Sequence, residues 1–260
     1  MNEFQALILG LIQGLTEFLP ISSSGHLEIG HALLGIKEQN NLLFAVVVHS
    51  ATVLSTIIVL KKDIWELLKC GLQFRWNTRT KYILKLLISA FPVIILGIFF
   101  NKEVESLFSG QIIMVGYMLL VTGLFLVLTF FNRSGKREIS FANAIVIGLA
   151  QALAVLPGIS RSGITIAAGL LMGNRKEEMA RFSFLMVLLP IIGALGYDIL
   201  NGDLSEAAGT GFLPLAIGFI TAFISGLIAC TWMISIVKKG NLIYFAIYCF
   251  IIGVIAIFAA

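Results

Sequence analysis

Ser22, Ser23 and Ser24 stand in a row ahead of Gly25 and His26, just beyond Gln13, Glu17 and Pro20. A second cluster holds Pro157, Ser160, Arg161, Ser162, Gly163 and Thr165. Hydroxyls at a helix start, free backbone N–H groups and the positive end of a helix dipole together make an anion site. Gly25 and Gly163 would let backbone approach a ligand closely. Arg161 adds a planar, forked donor suited to phosphate oxygens. Two such sites facing each other would hold a substrate with more than one phosphate. Ser and Gly also suit tight helix packing in lipid, so Arg161 weighs more than the hydroxyls and glycines do.

Anion binding does not explain Glu17. A carboxylate beside a phosphate site points to a divalent cation (Mg²⁺ or Ca²⁺) bridging the two, or to a general base that activates a hydroxyl. Gln13 lies one turn before Glu17 on the same helix face. It can lend a carbonyl ligand or a hydrogen bond, but no second negative charge. His26 is placed to protonate a leaving group or to orient a phosphate. His49 falls inside a long apolar run, where lining a cavity and bonding a neighbouring helix are equally open. Cys70, Cys230 and Cys249 are isolated and read as buried small hydrophobes.

The two clusters are copies of one phrase. Shifted by 138 they align without a gap, and ten of the 27 residues from 9 to 35 match, Gln13, Ser22, Ser24, Gly25 and Gly35 among them. Ser23 and Arg161 are then equivalent positions.

The elements that must position these groups are apolar. Of 260 residues, 58% are hydrophobic and 12% charged, against about 25% charged in soluble domains. Apolar runs recur along the whole chain, so the fold class is an all-α polytopic membrane protein. A net charge of +4 would hint at nucleic acid in a soluble protein; here no nucleic-acid partner is expected. The pieces 4–19 and 24–35 are broken by Pro20 and the serines. At 1.5 Å per residue they reach about 24 Å and about 18 Å, short of a hydrocarbon core of about 30 Å. They predict a re-entrant helix hairpin over 4–35, followed by spans at 41–61, 82–101 and 111–131. A second re-entrant hairpin over 141–173 precedes spans at 179–200, 212–236 and 242–259.

The whole is a single membrane domain, 1–260, built of two repeats, about 1–131 and about 139–260. Three spans per repeat is odd, so the second copy starts from the opposite side: an inverted-topology repeat of six transmembrane helices and two re-entrant hairpins. The loop 61–85, the loops at Arg133–Arg137 and Arg175–Arg181, and Lys238 and Lys239 place 15 of 18 Lys and Arg residues on one side. That side is expected to be cytoplasmic. Lys37 and Lys102 fall opposite. The remaining cation is Arg161, at membrane depth like Glu17, where a charge costs at least about 2.5–3.5 kcal/mol and marks function by default.

Glu17-Phe-Leu-Pro-Ile-Ser-Ser-Ser-Gly-His26 and Pro157-Gly-Ile-Ser-Arg-Ser-Gly-Ile-Thr165 resemble the two signature motifs of the undecaprenyl-pyrophosphate phosphatase (bacitracin-resistance) family. The resemblance extends over the full chain. Members with Glu at the position of Gln13 have two acidic residues in the first motif; this chain has one. The resemblance implies hydrolysis of undecaprenyl diphosphate at the extracytoplasmic face of a bacterial plasma membrane, recycling the lipid carrier of peptidoglycan synthesis. By position, Ser23 matches the proposed nucleophile, Glu17 the carboxylate tied to the cation and to activating Ser23, His26 the assisting histidine, and Arg161 the phosphate-binding arginine.

An isoprenyl diphosphate lipid is therefore the expected substrate. Chain-length preference and oligomeric state, a homodimer included, stay open. Ser24-Gly25-His26 also echoes phosphatidic-acid phosphatases of type 2, but no His follows Ser160-Arg161 as that class requires. Inverted repeats with broken helices are also transporter architecture, so a flippase for polyprenyl phosphate is the alternative.

Overall fold

The computed structural model describes residues 1–36, 42–73, 75–100, 111–131, 135–201 and 211–260. Among the described residues the chain forms eleven α-helices and no strand. They are α1 (Glu3–Thr16), α2 (Ser23–Leu33), α3 (Leu42–Val59), α4 (Lys61–Gly71), α5 (Thr78–Phe99) and α6 (Ile112–Phe131), then α7 (Phe141–Leu153), α8 (Arg161–Leu171), α9 (Lys176–Asn201), α10 (Phe212–Lys239) and α11 (Ile243–Ala259). The predicted breaks fall where the Pro and Ser clusters lie: α1 stops before Pro20 and α7 before Pro157. The expectations for Lys37, Lys102 and Arg133 lie outside the described residues.

Among the described residues three helices, α5, α6 and α10, are long and apolar enough to cross a membrane, and α3 with α4 would make a fourth if counted as one bent span. The bend between α3 and α4 is 78°. α3 ends at Val59, beside the expected span end at residue 61, and α4 lies within the segment expected as the loop 61–85, where Lys61, Lys62, Asp63, Glu66 and Lys69 suit an interface rather than hydrocarbon. α1, α7, α8 and α11 are shorter apolar helices.

Close approach rather than bulk holds the helices together. α1 lies along α10, where a Cβ on Gly14 would sit 2.0 Å from Ser225 Oγ and 2.4 Å from the Ala222 carbonyl oxygen. α7 lies along α5, where a Cβ on Gly148 would sit 2.6 Å from the Ser89 carbonyl oxygen. Lipid offers no hydrophobic drive between helices, so small residues that let backbones touch do this work. The segment after α1 is seated in the core: Phe18, Leu19 and Ile21 are buried, and Phe18 meets Phe184 edge-on at 5.4 Å. All three cysteines are free and buried.

The basic loops meet at one end. Arg181 pairs with Asp63 at 2.9 Å, Arg79 with Glu66 at 2.9 Å and Arg175 with Glu138 at 3.1 Å. Together with Lys85 and Lys238 they line a cavity of about 540 Å³.

Candidate active site

α2 and α8 begin in the same way. Ser22 Oγ accepts from the Gly25 N–H at 3.2 Å and lies 3.3 Å from Ser24 Oγ. Ser160 Oγ accepts from the Gly163 N–H at 3.1 Å and lies 3.3 Å from Ser162 Oγ. Each cap satisfies a donor that the first turn of a helix leaves free. The copies differ in backbone. Ser22 has φ 71, the one positive φ at a non-glycine among the described residues, while Ser160 has φ −76. Such a conformation costs about 1–3 kcal/mol and persists only where its surroundings impose it. It immediately precedes Ser23.

Glu17 is the hub. Its Oε2 accepts from Ser23 Oγ at 2.6 Å and from Gln13 Nε2 at 3.0 Å. Its Oε1 is held by Arg161 Nη2, and His49 Nε2 lies 3.9 Å from Oε2. The Glu17 side chain is only 6% exposed, so its charge is tolerable at depth because both oxygens are paired. Arg161 opens α8, directly after its cap, and stays partly exposed. Glu17, Ser23 and Arg161 line a cavity of about 260 Å³ with Ser24, Ser160, His49 and Gln151. An adjoining cavity of about 310 Å³ shares His49, Gln151 and Arg161. The arrangement places a hydroxyl and a guanidinium on the same carboxylate, beside a helix N-terminus, the end of a helix that favours anions.

Gln13, Glu17, Ser23, Ser24, Ser160 and Arg161 are thus brought together. The other predicted residues have different surroundings. A Cβ on Gly25 would meet Gly158 Cα at 3.1 Å, and one on Gly163 would meet Pro20 Cβ at 3.2 Å. Both glycines lie where the two broken loops approach each other. Ser162 Oγ reaches the Leu19 carbonyl oxygen at 3.3 Å, which also ties loop to loop. Thr165 is fully buried; its hydroxyl meets the Arg161 carbonyl oxygen at 2.8 Å and Ser183 Oγ at 2.7 Å. It fixes α8 against α9.

His26 does not line the Glu17 cavity. Its Nδ1 lies 2.8 Å from the Ser22 carbonyl oxygen and its Nε2 lies 2.8 Å from Tyr248 Oη. A carbonyl only accepts, so Nδ1 carries the hydrogen that reaches Ser22, while Nε2 and the tyrosine hydroxyl share the second hydrogen bond. The imidazole therefore braces the strained Ser22 turn.

Sequence reasoning left His49 undecided and passed over Gln151 and Tyr248. The gapless repeat, which pairs Gln151 with Gln13, could have flagged the glutamine. Nothing local marks Tyr248, 222 residues from His26.

A divalent cation can be tested against these groups. No cluster of three His, Cys, Asp or Glu gathers among the described residues. The Gln13 Oε1 is nevertheless buried without a partner, beside the Glu17 carboxylate. One carboxylate and one spare carbonyl fit the kind of ion that completes its shell with substrate phosphates and water.

Comparisons with known proteins agree along the whole chain. The family model described as "Bacitracin resistance protein BacA" matches residues 6–255. The undecaprenyl-diphosphatase of Christiangramia forsetii is 52% identical over 262 residues, covering 100% of this chain and 99% of that protein. That of Bacteroides fragilis is 52% identical over 261 residues, covering 99% and 98%. Undecaprenyl-diphosphatase 2 of Bacillus thuringiensis is 39% identical over 260 residues, covering 96% and 95%. With matches of this extent, the chain belongs to the bacitracin resistance protein BacA family.

Proposed function

We propose that this membrane protein is a phosphatase that hydrolyses undecaprenyl diphosphate to undecaprenyl phosphate and inorganic phosphate. The observation that carries the reading is the joint hold of Ser23 and Arg161 on Glu17 inside the buried cavity. The names of the similar proteins supply the substrate. Ser23 Oγ attacks the terminal phosphorus as Glu17 Oε2 takes its proton. The bond from that phosphorus to the bridging oxygen breaks, and undecaprenyl phosphate leaves. Water then attacks the phosphoserine, and Glu17 returns the proton to Ser23 Oγ as phosphate departs. Arg161 and the free N–H groups at the starts of α2 and α8 hold the phosphate oxygens, which gather charge in the transition state. Glu17 and Gln13 Oε1 would hold Mg²⁺ or Ca²⁺, which when bound neutralises phosphate charge. His26 and Tyr248 fix the turn that aims Ser23.

The same reading makes the fold an inverted repeat with two re-entrant hairpins and six spans. Its supports are the matching caps at Ser22 and Ser160, and the positive φ of both Gly35 and Gly173, one repeat apart. The exchange of partners adds to them: α1 lies on α10, a second-repeat helix, and α7 on α5, a first-repeat helix. The gathering of basic loops at one end supports a cytoplasmic placement of that end. The first hairpin then enters from outside the cell, where the reaction recycles the lipid carrier of peptidoglycan synthesis and gives bacitracin resistance.

The test is phosphate release from undecaprenyl diphosphate by the purified protein in detergent, with and without a chelator. Release that Arg161→Lys abolishes supports the reading. Movement of polyprenyl phosphate across liposomes without phosphate release would make the protein a transporter instead.

A further inference from the structure

Gln151 sits in the last turn of α7 and is 1% exposed. Neither its Nε2 nor its Oε1 has a hydrogen-bond partner, yet the residue lines the cavity of Glu17, Ser23 and Arg161. A buried amide left unpaired is costly, and natural proteins keep one only where something else completes it. The repeat shows what this amide lacks. In the first copy the equivalent Gln13 donates to Glu17. The position equivalent to Glu17 in the second copy is Val155, which lines the same cavity. The second copy has the amide without the carboxylate.

The groups around Gln151 are those of an anion site: the Arg161 guanidinium and the start of α8. We infer that Gln151 is a substrate-binding residue whose Nε2 donates to a diphosphate oxygen. Its Oε1 accepts from water in the same cavity. The substrate thus takes in the second copy the place that Glu17 takes in the first. This assignment rests on the phosphatase reading above.

The test uses the full chain in detergent and methylenebisphosphonate, whose P–C–P bridge resists hydrolysis, as the probe. Binding is read by calorimetry and stability by thermal melting, for wild type, Gln151→Leu and Gln151→Glu. Gln151→Leu should bind the probe about tenfold more weakly or worse. It should melt no lower than wild type, because removing an unpaired buried amide relieves the free protein. Gln151→Glu, which brings a carboxylate to the phosphate, should bind more weakly still. Equal binding by wild type and both variants overturns the inference and leaves the phosphatase reading standing. A fall in melting temperature for Gln151→Leu, with Gln151→Glu binding as wild type, makes the residue structural and also overturns it. Absence of probe binding by wild type overturns both.

Discussion

Ser23 and Arg161 occupy the same position in the two copies, and each holds a different oxygen of one carboxylate, Glu17. A hydroxyl on Oε2 and a guanidinium on Oε1 give the two halves of the chain unlike tasks at one point. In the mechanism proposed above, Ser23 loses a proton to that carboxylate and Arg161 carries positive charge to the phosphate.

Glu17→Gln keeps the size of the side chain and its link to Ser23. It removes the base and leaves Arg161 without its counter-charge. Phosphate release should fall by at least about a hundredfold, while the protein still elutes as a folded species. Turnover within a few-fold of wild type would exclude Glu17 as the base.

Arg161→Lys retains the charge and loses the fork. A single ammonium cannot serve Glu17 and a phosphate in two directions at once. kcat/KM should drop by roughly a hundredfold or more. Unchanged kinetics would remove Arg161 from the phosphate site.

Ser23→Ala separates a nucleophile from a residue that only holds water. Acid-quenched wild type incubated with labelled substrate should carry label on Ser23; Ser23→Ala should carry none and lose roughly a thousandfold or more in turnover. Label found on another residue excludes Ser23.

His26 and Tyr248 should act as a unit. Tyr248→Phe removes the hydroxyl that Nε2 faces at 2.8 Å, and His26→Ala removes the brace on Ser22. Each lowers activity, and the double variant should lose less than the two losses combined, with a coupling of about 0.5–3 kcal/mol. Independent effects would mean that the contact does not position Ser23.

Two glycines test the packing. Gly14→Ala drives a methyl into Ser225 and the Ala222 backbone, and should cost about 1–3 kcal/mol of stability. Gly97→Ala meets nothing within 4 Å and should gain about 0.5–1 kcal/mol from helix propensity alone. Thermal melting of the pair in one detergent gives the comparison; equal shifts would deny the close approach of α1 and α10.

Much of this was legible in the chain itself. Apolar runs set the helices because lipid leaves the backbone no partner but itself. Pro20, Pro157 and the serines set the breaks, because Pro cannot donate and Ser caps a new start. The repeat and the charges Glu17 and Arg161 set the region of the site. Helix α4 was less legible, since the charges from Lys61 onward read as a loop.

What the sequence alone determined is which residues are out of place in lipid. What only the tertiary structure decided is whom they meet. Glu17 and Arg161 are 144 residues apart, and no local pattern records that one carboxylate takes both Ser23 and Arg161. The packing also turned His26 toward Tyr248, set the two signature glycines against the opposite loops, and left Gln151 buried without a partner. Periodicity and propensity report a residue's own backbone and its burial. Pairing depends on where distant helices come to rest, and here small residues set that by letting backbones touch.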